Sequence, residues 1–339
     1  MNKPHDVQCT QIGRLRCSIA DTNNASIFFS LVDYRNNLFT SNDPKKIMEF
    51  YDGFDNRDQL IQWMRERPKG VSYIREFDGD KDIIVVIPTA DYNGKYAREC
   101  RENIFKGLHI IFVESGGRDD FYFNYAHNCN LGIKKAMEYN PKWIVLSNDD
   151  MYKRDEVDVL INELKNTDNS KIMMCYVKLI EATNRVAKQQ GIIGSNFRII
   201  RILLSYVIPD LRKKILIEKK LKIFYARYLN NFVNRLYIKK LFYFYGFGPI
   251  GIFSSYFIKQ RPNFKLFDET FINASEDVDL SIETSQMVSE GKVNFLNYKI
   301  GSFRGSSLGR SIARGFRDES SAAYFNYKLE NKFYNSKGL

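Results

Sequence analysis

The hydrophobic positions of this chain form short unbroken runs separated by stretches with helical spacing, and this alternation sets in at Ile83. Ile83-Ile84-Val85-Val86-Ile87 is a continuous β-branched run, the pattern of a strand covered on both faces. Pro88 ends it. A helix is expected over 95–105, then a second buried strand at His109-Ile110-Ile111-Phe112-Val113, broken by Glu114-Ser115-Gly116-Gly117. Residues 128–139 carry Leu131, Ile133, Ala136 and Met137 at helical spacing and stop at Asn140-Pro141. A third strand, Trp143-Ile144-Val145-Leu146-Ser147, follows, then a helix over 155–164 and a strand near 171–177. Strand, helix, strand, helix, strand at this spacing predicts an α/β fold: a Rossmann-like, mostly parallel sheet with right-handed crossovers, flanked by helices.

The region before this alternation reads differently. Residues 1–80 form an N-terminal accessory region with a strand-like run at 27–32, a short helix at 56–65 ending before Arg67-Pro68, and a turn at Asp78-Gly79-Asp80. The main domain is expected over 81–315, with a basic helical insertion at about 195–245 and a C-terminal tail at 316–339.

Composition narrows the class. The 339 residues are 44% hydrophobic and 14% aromatic, which excludes a mainly disordered chain. Net charge is +11, but residues 198–240 hold 12 Lys/Arg against Asp210 and Glu218, so nearly all the excess lies in one segment. Within it Leu203-Leu204, Val207-Ile208, Leu211, Ile215, Ile217, Leu221 and Phe224 make an apolar side, ringed by Lys213, Lys214, Lys219 and Lys220. Pro209 is expected to divide or kink it. Basic amphipathic helices bind anionic lipid surfaces through apolar insertion and charge attraction, so this segment predicts a peripheral position on the cytoplasmic face of the cell membrane. The alternative is a helical pair packed on the domain with solvated charges. Nucleic acid is not the expected partner, because no recognised nucleic-acid module accompanies the charge.

Five scattered cysteines without a CxxC pair fit reduced thiols in a cytoplasmic protein. The uncharged run 242–258 is interrupted by glycines, Pro249 and serines and is shorter than the ~20 residues of a membrane-spanning helix. His5, His109 and His127 form no metal constellation, and Gly246-x-Gly248 has neither the flanks nor the spacing of a phosphate loop.

The chemistry concentrates in two acidic clusters. Ligands of α/β sheets sit beyond the carboxyl ends of the strands, where Thr89, Glu114 and Asn148-Asp149-Asp150 fall. The second cluster, Glu276-Asp277-Val278-Asp279 after Ser275, opens a helix, the end at which the macrodipole favours negative charge. Read structurally, the first is an Asn-Asp-Asp turn closing a strand. The second is a helix start in which Asn273-x-x-Glu276 resembles a capping arrangement. Read chemically, one cluster holds a metal that neutralises phosphate and the other supplies a carboxylate base.

The order of these motifs resembles the family-two glycosyltransferases of GT-A fold, especially their rhamnosyltransferase-like branch. The likeness runs from Ile83 to about Ser307. It is carried by Val86-Ile87-Pro88-Thr89, by Val113-Glu114-Ser115-Gly116-Gly117, by the Asn- and Gly-containing stretch 124–133, and by Leu146-Ser147-Asn148-Asp149-Asp150. Gly248-Pro249-Ile250-Gly251-Ile252-Phe253, Phe267-Asp268-Glu269-Thr270-Phe271 and Glu276-Asp277-Val278-Asp279-Leu280 complete the series.

The resemblance implies an inverting transfer of a sugar from a nucleotide-diphosphate sugar to the hydroxyl of a lipid-linked or cell-surface glycan. It implies a divalent metal, Mn2+ or Mg2+, on the diphosphate, with Asp150 as its ligand. Pro88, Thr89, Glu114, Asn130, Asn148 and Asp149 would bind the donor. Asp277 would be the general base, with Glu276 and Asp279 orienting backbone or acceptor groups. Two positions depart from the family pattern: Asn148 stands where many relatives have an aspartate, and Ser302 where they often have a metal-binding histidine. Arg304 or Arg310 could pair with the diphosphate instead. Two other readings stand beside this one: a sugar-phosphate nucleotidyltransferase, whose Gly-rich basic opening loop is absent here, and a membrane- or glycan-binding protein on a degenerate transferase fold.

Overall fold

The computed structural model describes residues 34–116, 122–180, 206–221, 249–284, 286–303 and 312–331. The strand-like run at 27–32, Arg304 and Arg310, and residues 198–205 and 222–240 of the basic segment lie outside them.

The β-branched runs become the strands expected of them. Among the described residues the strands are β1 (Ser72–Phe77), β2 (Asp80–Thr89), β3 (Leu108–Ser115), β4 (Trp143–Ser147), β5 (Met151–Lys153), β6 (Met174–Ile180), β7 (Ile250–Ser254) and β8 (Val293–Ser302). They form one sheet in the order β1-β3-β2-β4-β7-β6-β8-β5. β2 pairs in parallel with β3 and β4, as the strand-helix alternation predicts.

The sheet as a whole is mixed, which corrects the expectation of a mostly parallel one. β7 enters antiparallel between β4 and β6, β1 and β5 add antiparallel edges, and among the described residues only β6–β8 is a further parallel pair. The reason is that a strand buried on both faces is apolar throughout whichever way it runs. Ile250–Ser254 is buried at every position, so its composition carries no direction.

Helices cover both faces. α1 is Pro44–Asp52, α2 Arg57–Glu66, α3 Lys95–Glu99, α4 Tyr125–Met137, α5 Val157–Lys165, α6 Pro209–Lys220, α7 Ser255–Lys259, α8 Glu276–Glu283, α9 Gln286–Ser289 and α10 Ile312–Glu330. Ile83, Val85 and Ile87 of β2 pack on one face with Phe105 and with Leu160 of α5. Ile84 and Val86 pack on the other with Cys129 and Ile133 of α4 and Leu280 of α8. α4 lies so close that a Cβ on Gly132 would stand 2.4 Å from Val86 Cγ1, which is why glycine is required there. Its first turn is capped by Asn124, whose Oδ1 accepts from His127 N at 2.8 Å.

A third core joins α1 and α2 to α10. Phe50, Tyr51, Leu60 and Trp63 of α1 and α2 pack with Phe316, Ala323, Tyr324 and Phe325 of α10. Residues 38–64 therefore share a core with the helix at 312–330, and β1 shares the sheet with β3. Ile217 and Leu221 join the same core, and Lys213 pairs with Asp52 at 2.6 Å. This described part of the basic segment thus packs on α1. Pro209 occupies the first turn of α6, where its missing N–H costs nothing, so it starts the helix rather than kinking it. Among the described residues, no helix is long and apolar enough to cross a membrane.

Candidate active site

The ends of β2, β3 and β4 bring the first group of candidates together. Thr89 lies opposite Glu114 in register, and Thr89 Oγ1 donates to Asp149 Oδ2 at 2.8 Å. Glu114 accepts from Tyr92 N at 2.9 Å and pairs with Arg75 at 3.0 Å. Pro88 sits inside the strand against Val113. A π-helical turn, Cys100–Ile104, extends α3 and brings Cys100 Sγ within 3.4 Å of the Asp149 carbonyl. Burial pushes the Asp149 carboxyl up to about 6, helped by the neighbouring Asp150 and opposed by the Thr89 bond.

Asp150 is 3% exposed. Its carbonyl accepts from Phe303 N at 2.9 Å, and Ser302 pairs with Met151 in the β5–β8 register. Ser302 therefore lies on the strand directly beside the acidic turn.

The second cluster is held by an unusual loop. Asn273 and Ser275 adopt left-handed backbone conformations, with φ of 57° and 71°, a state that is rare for serine and marks functional loops when the surroundings enforce it. α8 then opens with Glu276, Asp277 and Asp279 in its first turn. The capping arrangement expected of Asn273 does not form. Its Oδ1 accepts instead from Tyr125 N at 2.9 Å, at the start of α4. Asp279 turns toward α10, where Lys328 Nζ lies 2.7 Å from its carboxylate, so its charge is engaged in the scaffold.

A cavity of about 260 Å³ lies between Asn148, the first residue of the Asn-Asp-Asp turn, and the carboxylates that open α8; Asp149 and Asp150 stand outside its lining. Asn148 lines one side and Glu276 and Asp277 the other, with Tyr125 and Asn273 beside them. Leu146, Gly251, Phe253 and Phe267 provide its apolar wall, and Asp318 of α10 also lines it. The Tyr125 hydroxyl donates to Asn148 Oδ1 at 2.8 Å. Burial, then the nearby Cys129, Glu276 and Asp277, hold that phenol well above its ordinary range, so it remains a donor. Glu276 is 8% exposed. Asp277 Oδ1 accepts from Val278 N at 2.8 Å, and burial raises its carboxyl above the usual carboxylate range. A carboxylate raised in this way is a stronger base.

Asn130 is placed elsewhere. Its Nδ2 donates to Phe267 O and Glu269 Oε1, and its Oδ1 accepts from Leu266 N and Phe267 N. The amide is saturated by the scaffold and shapes the loop behind the cavity. His127 pairs with Glu269 at 3.2 Å, and His109 with Glu76 and Asp78. Tyr125 and Asp318 were not singled out from the sequence, and Asn273 only as a helix cap. Tyr125 lies within the Asn-rich stretch, but nothing local marks Asp318.

As a metal site, the residues offer one buried hard-oxygen ligand, Asp150, beside Asp149, which is engaged with Thr89. Among the described residues no group of three His, Cys, Asp or Glu converges. Asp150 and Asp149 are therefore the carboxylates the described residues would offer a hard cation, whose remaining ligands would have to come from substrate phosphates and water. No family model matches the chain, and neither a curated protein nor a solved structure matches it.

Proposed function

We propose that the protein is an inverting glycosyltransferase of GT-A type that uses a nucleotide-diphosphate sugar. One observation carries this reading: Asn148, which opens the Asn-Asp-Asp turn after β4, and the carboxylates opening α8, far apart in sequence, line a single cavity. The parallel β3-β2-β4 core supports it, since Thr89, Glu114 and Asp149-Asp150 gather at the carboxyl ends of these strands.

In this reading Thr89, Glu114 and Asn148 contact the donor from the strand ends. A divalent ion, Mn2+ or Mg2+, held by Asp150 would neutralise charge on the diphosphate. Asp277 accepts the proton of the acceptor hydroxyl as that oxygen attacks the anomeric carbon. The new carbon–oxygen bond forms as the bond to the diphosphate breaks, and its electron pair leaves with the nucleotide. Attack from the side opposite the nucleotide inverts the anomeric centre. Glu276 shapes the cavity next to the base, while Asp279 fixes α8 to α10.

The acceptor is a glycan presented at an anionic surface, the inner face of the cell membrane. Tyr206 and Val207 are 78% and 80% exposed immediately before α6, and Arg212, Lys219 and Lys220 are exposed along it. Apolar side chains beside exposed cations suit shallow insertion at a charged interface.

The test is a panel of nucleotide sugars with Mn2+ or Mg2+, scored for slow donor hydrolysis and for binding. Hydrolysis of one donor class supports the reading; binding of none, with or without metal, rejects it.

A further inference from the structure

The segment from Asp268 to Asp279 forms one wall of the cavity that holds the proposed base, since Asn273, Ser275, Glu276 and Asp277 all line it. Part of this wall is strained. Asn273 and Ser275 have φ of 57° and 71°, a left-handed state that persists where the surroundings over-determine it. One cation reaches both ends of the segment. Lys328 of α10 lies 2.7 Å from the Asp279 carboxylate and 3.3 Å from Asp268 Oδ2.

The surroundings of Lys328 suit a compact point charge. Its ammonium stands 5.5 Å from the Phe271 ring centroid and 5.8 Å from that of Tyr324, within cation–π range. The Tyr324 hydroxyl donates to Asp268 Oδ2 at 2.7 Å, and Thr270 N donates to Asp268 Oδ1 at 3.0 Å. Burial alone would raise the Asp268 carboxyl, yet Lys328, the Tyr324 hydroxyl and the Thr270 amide hold it below the usual carboxylate range. Asp279 is 3% exposed. Behind Lys328, α2 steadies α10. Arg57 pairs with Glu330 at 2.7 Å, and the Arg65 guanidinium lies 5.9 Å from the Tyr324 ring centroid.

We infer that Lys328 is a positioning residue for the transfer step: by clamping Asp268 to Asp279 it fixes the first turn of α8 and so aims Asp277 at the acceptor hydroxyl. The inference rests on the transferase reading for the identity of the base. Asp277 and Asp279 stand two residues apart, about 200° around a helix. One carboxylate therefore meets the cavity while the other is gripped from behind. Lys328 is not among the described residues that line the cavity, so it acts through the turn. Without the ammonium, Asp279 keeps a buried charge that has lost this partner, and the turn moves to rehydrate it.

The experiment compares the full-length wild type with Lys328→Met and with the double variant Lys328→Met, Asp279→Asn, which leaves no lone charge at 279. Steady-state turnover of the nucleotide sugar is measured per folded molecule, and amide hydrogen exchange is followed by mass spectrometry. In Lys328→Met, kcat is expected to fall about 10²-fold, the effect of a small misplacement, with nucleotide affinity within about twofold of wild type. The double variant is expected to regain thermal stability but not kcat, which separates aim from stability. It also carries the comparison if Lys328→Met does not fold. Exchange is expected to quicken over residues 268–283 in both variants and to stay unchanged in β2, β3 and β4. A kcat near wild type in either variant, or faster exchange spread evenly over the chain, would overturn the inference. If the wild type turns over no nucleotide sugar, the transferase reading fails by itself. Faster exchange confined to residues 268–283 then keeps the clamp, and unaltered or uniform exchange removes it.

Discussion

The Tyr125 hydroxyl and Asn148 Oδ1, 2.8 Å apart, tie the start of α4 to the acidic end of β4. Tyr125 N also donates to Asn273 Oδ1, so one residue spans the cavity between its two walls. This gives a physical account of the asparagine at 148. An aspartate there would add a further negative charge beside Asp149, Asp150 and Glu276. The amide keeps the hydrogen bond without that repulsion. Tyr125→Phe leaves the Asn148 oxygen without its donor and is expected to cost roughly 1–3 kcal/mol. Urea denaturation measures it, and transfer is expected to fall with it.

Asn130 is predicted to be a positioning residue. Its four hydrogen bonds hold residues 266–269, and Asn130→Ala would strand two backbone amides. A loss of about 2–4 kcal/mol is expected by thermal or urea unfolding, with nucleotide affinity retained in the fraction that stays folded. Weakened nucleotide binding in a fully stable variant would instead return Asn130 to the donor site.

Much of this was legible in the sequence, for identifiable reasons. β2, β3 and β4 announce themselves as β-branched runs, and the acids at their ends follow from where such strands stop. Glu276 and Asp277 were legible because acids favour a helix start. The rest depends on pairings between distant segments. β7 runs antiparallel because of where the chain re-enters the sheet, which its apolar composition does not encode. Asn273 looked like a local cap and serves Tyr125 instead. Asp318 reaches the cavity only because α10 docks on α1 and α2, and no spacing within residues 312–330 shows that.

Asp149 predicts a pH dependence of stability. Its carboxyl is raised to about 6 from an ordinary 3.8, so the native state keeps a proton that the unfolded chain has released. Stability is then lost as pH rises from about 4 to about 6, by at most about 3 kcal/mol. Asp149→Asn keeps an acceptor for Thr89 and should flatten this window in urea titrations run with chelator. An unchanged profile would place the titrating group elsewhere.

The exposed Tyr206-Val207 pair predicts lipid dependence. Sedimentation with vesicles rich in anionic lipid is expected to be strong and salt-sensitive, and weak with neutral vesicles. Tyr206→Ser with Val207→Ser should reduce it several-fold. Binding indifferent to lipid charge and to both substitutions would reject membrane docking.

The central claim is that Asp277 takes the acceptor proton, and the most direct measurement compares Asp277→Asn with wild type in paired assays of sugar transfer and nucleotide binding. The substitution preserves shape and removes the base. Transfer should fall by about 10²–10⁴-fold, the range of a lost general base, with nucleotide affinity within about twofold of wild type. Transfer retained at near wild-type rate would contradict the account and move the base to another residue.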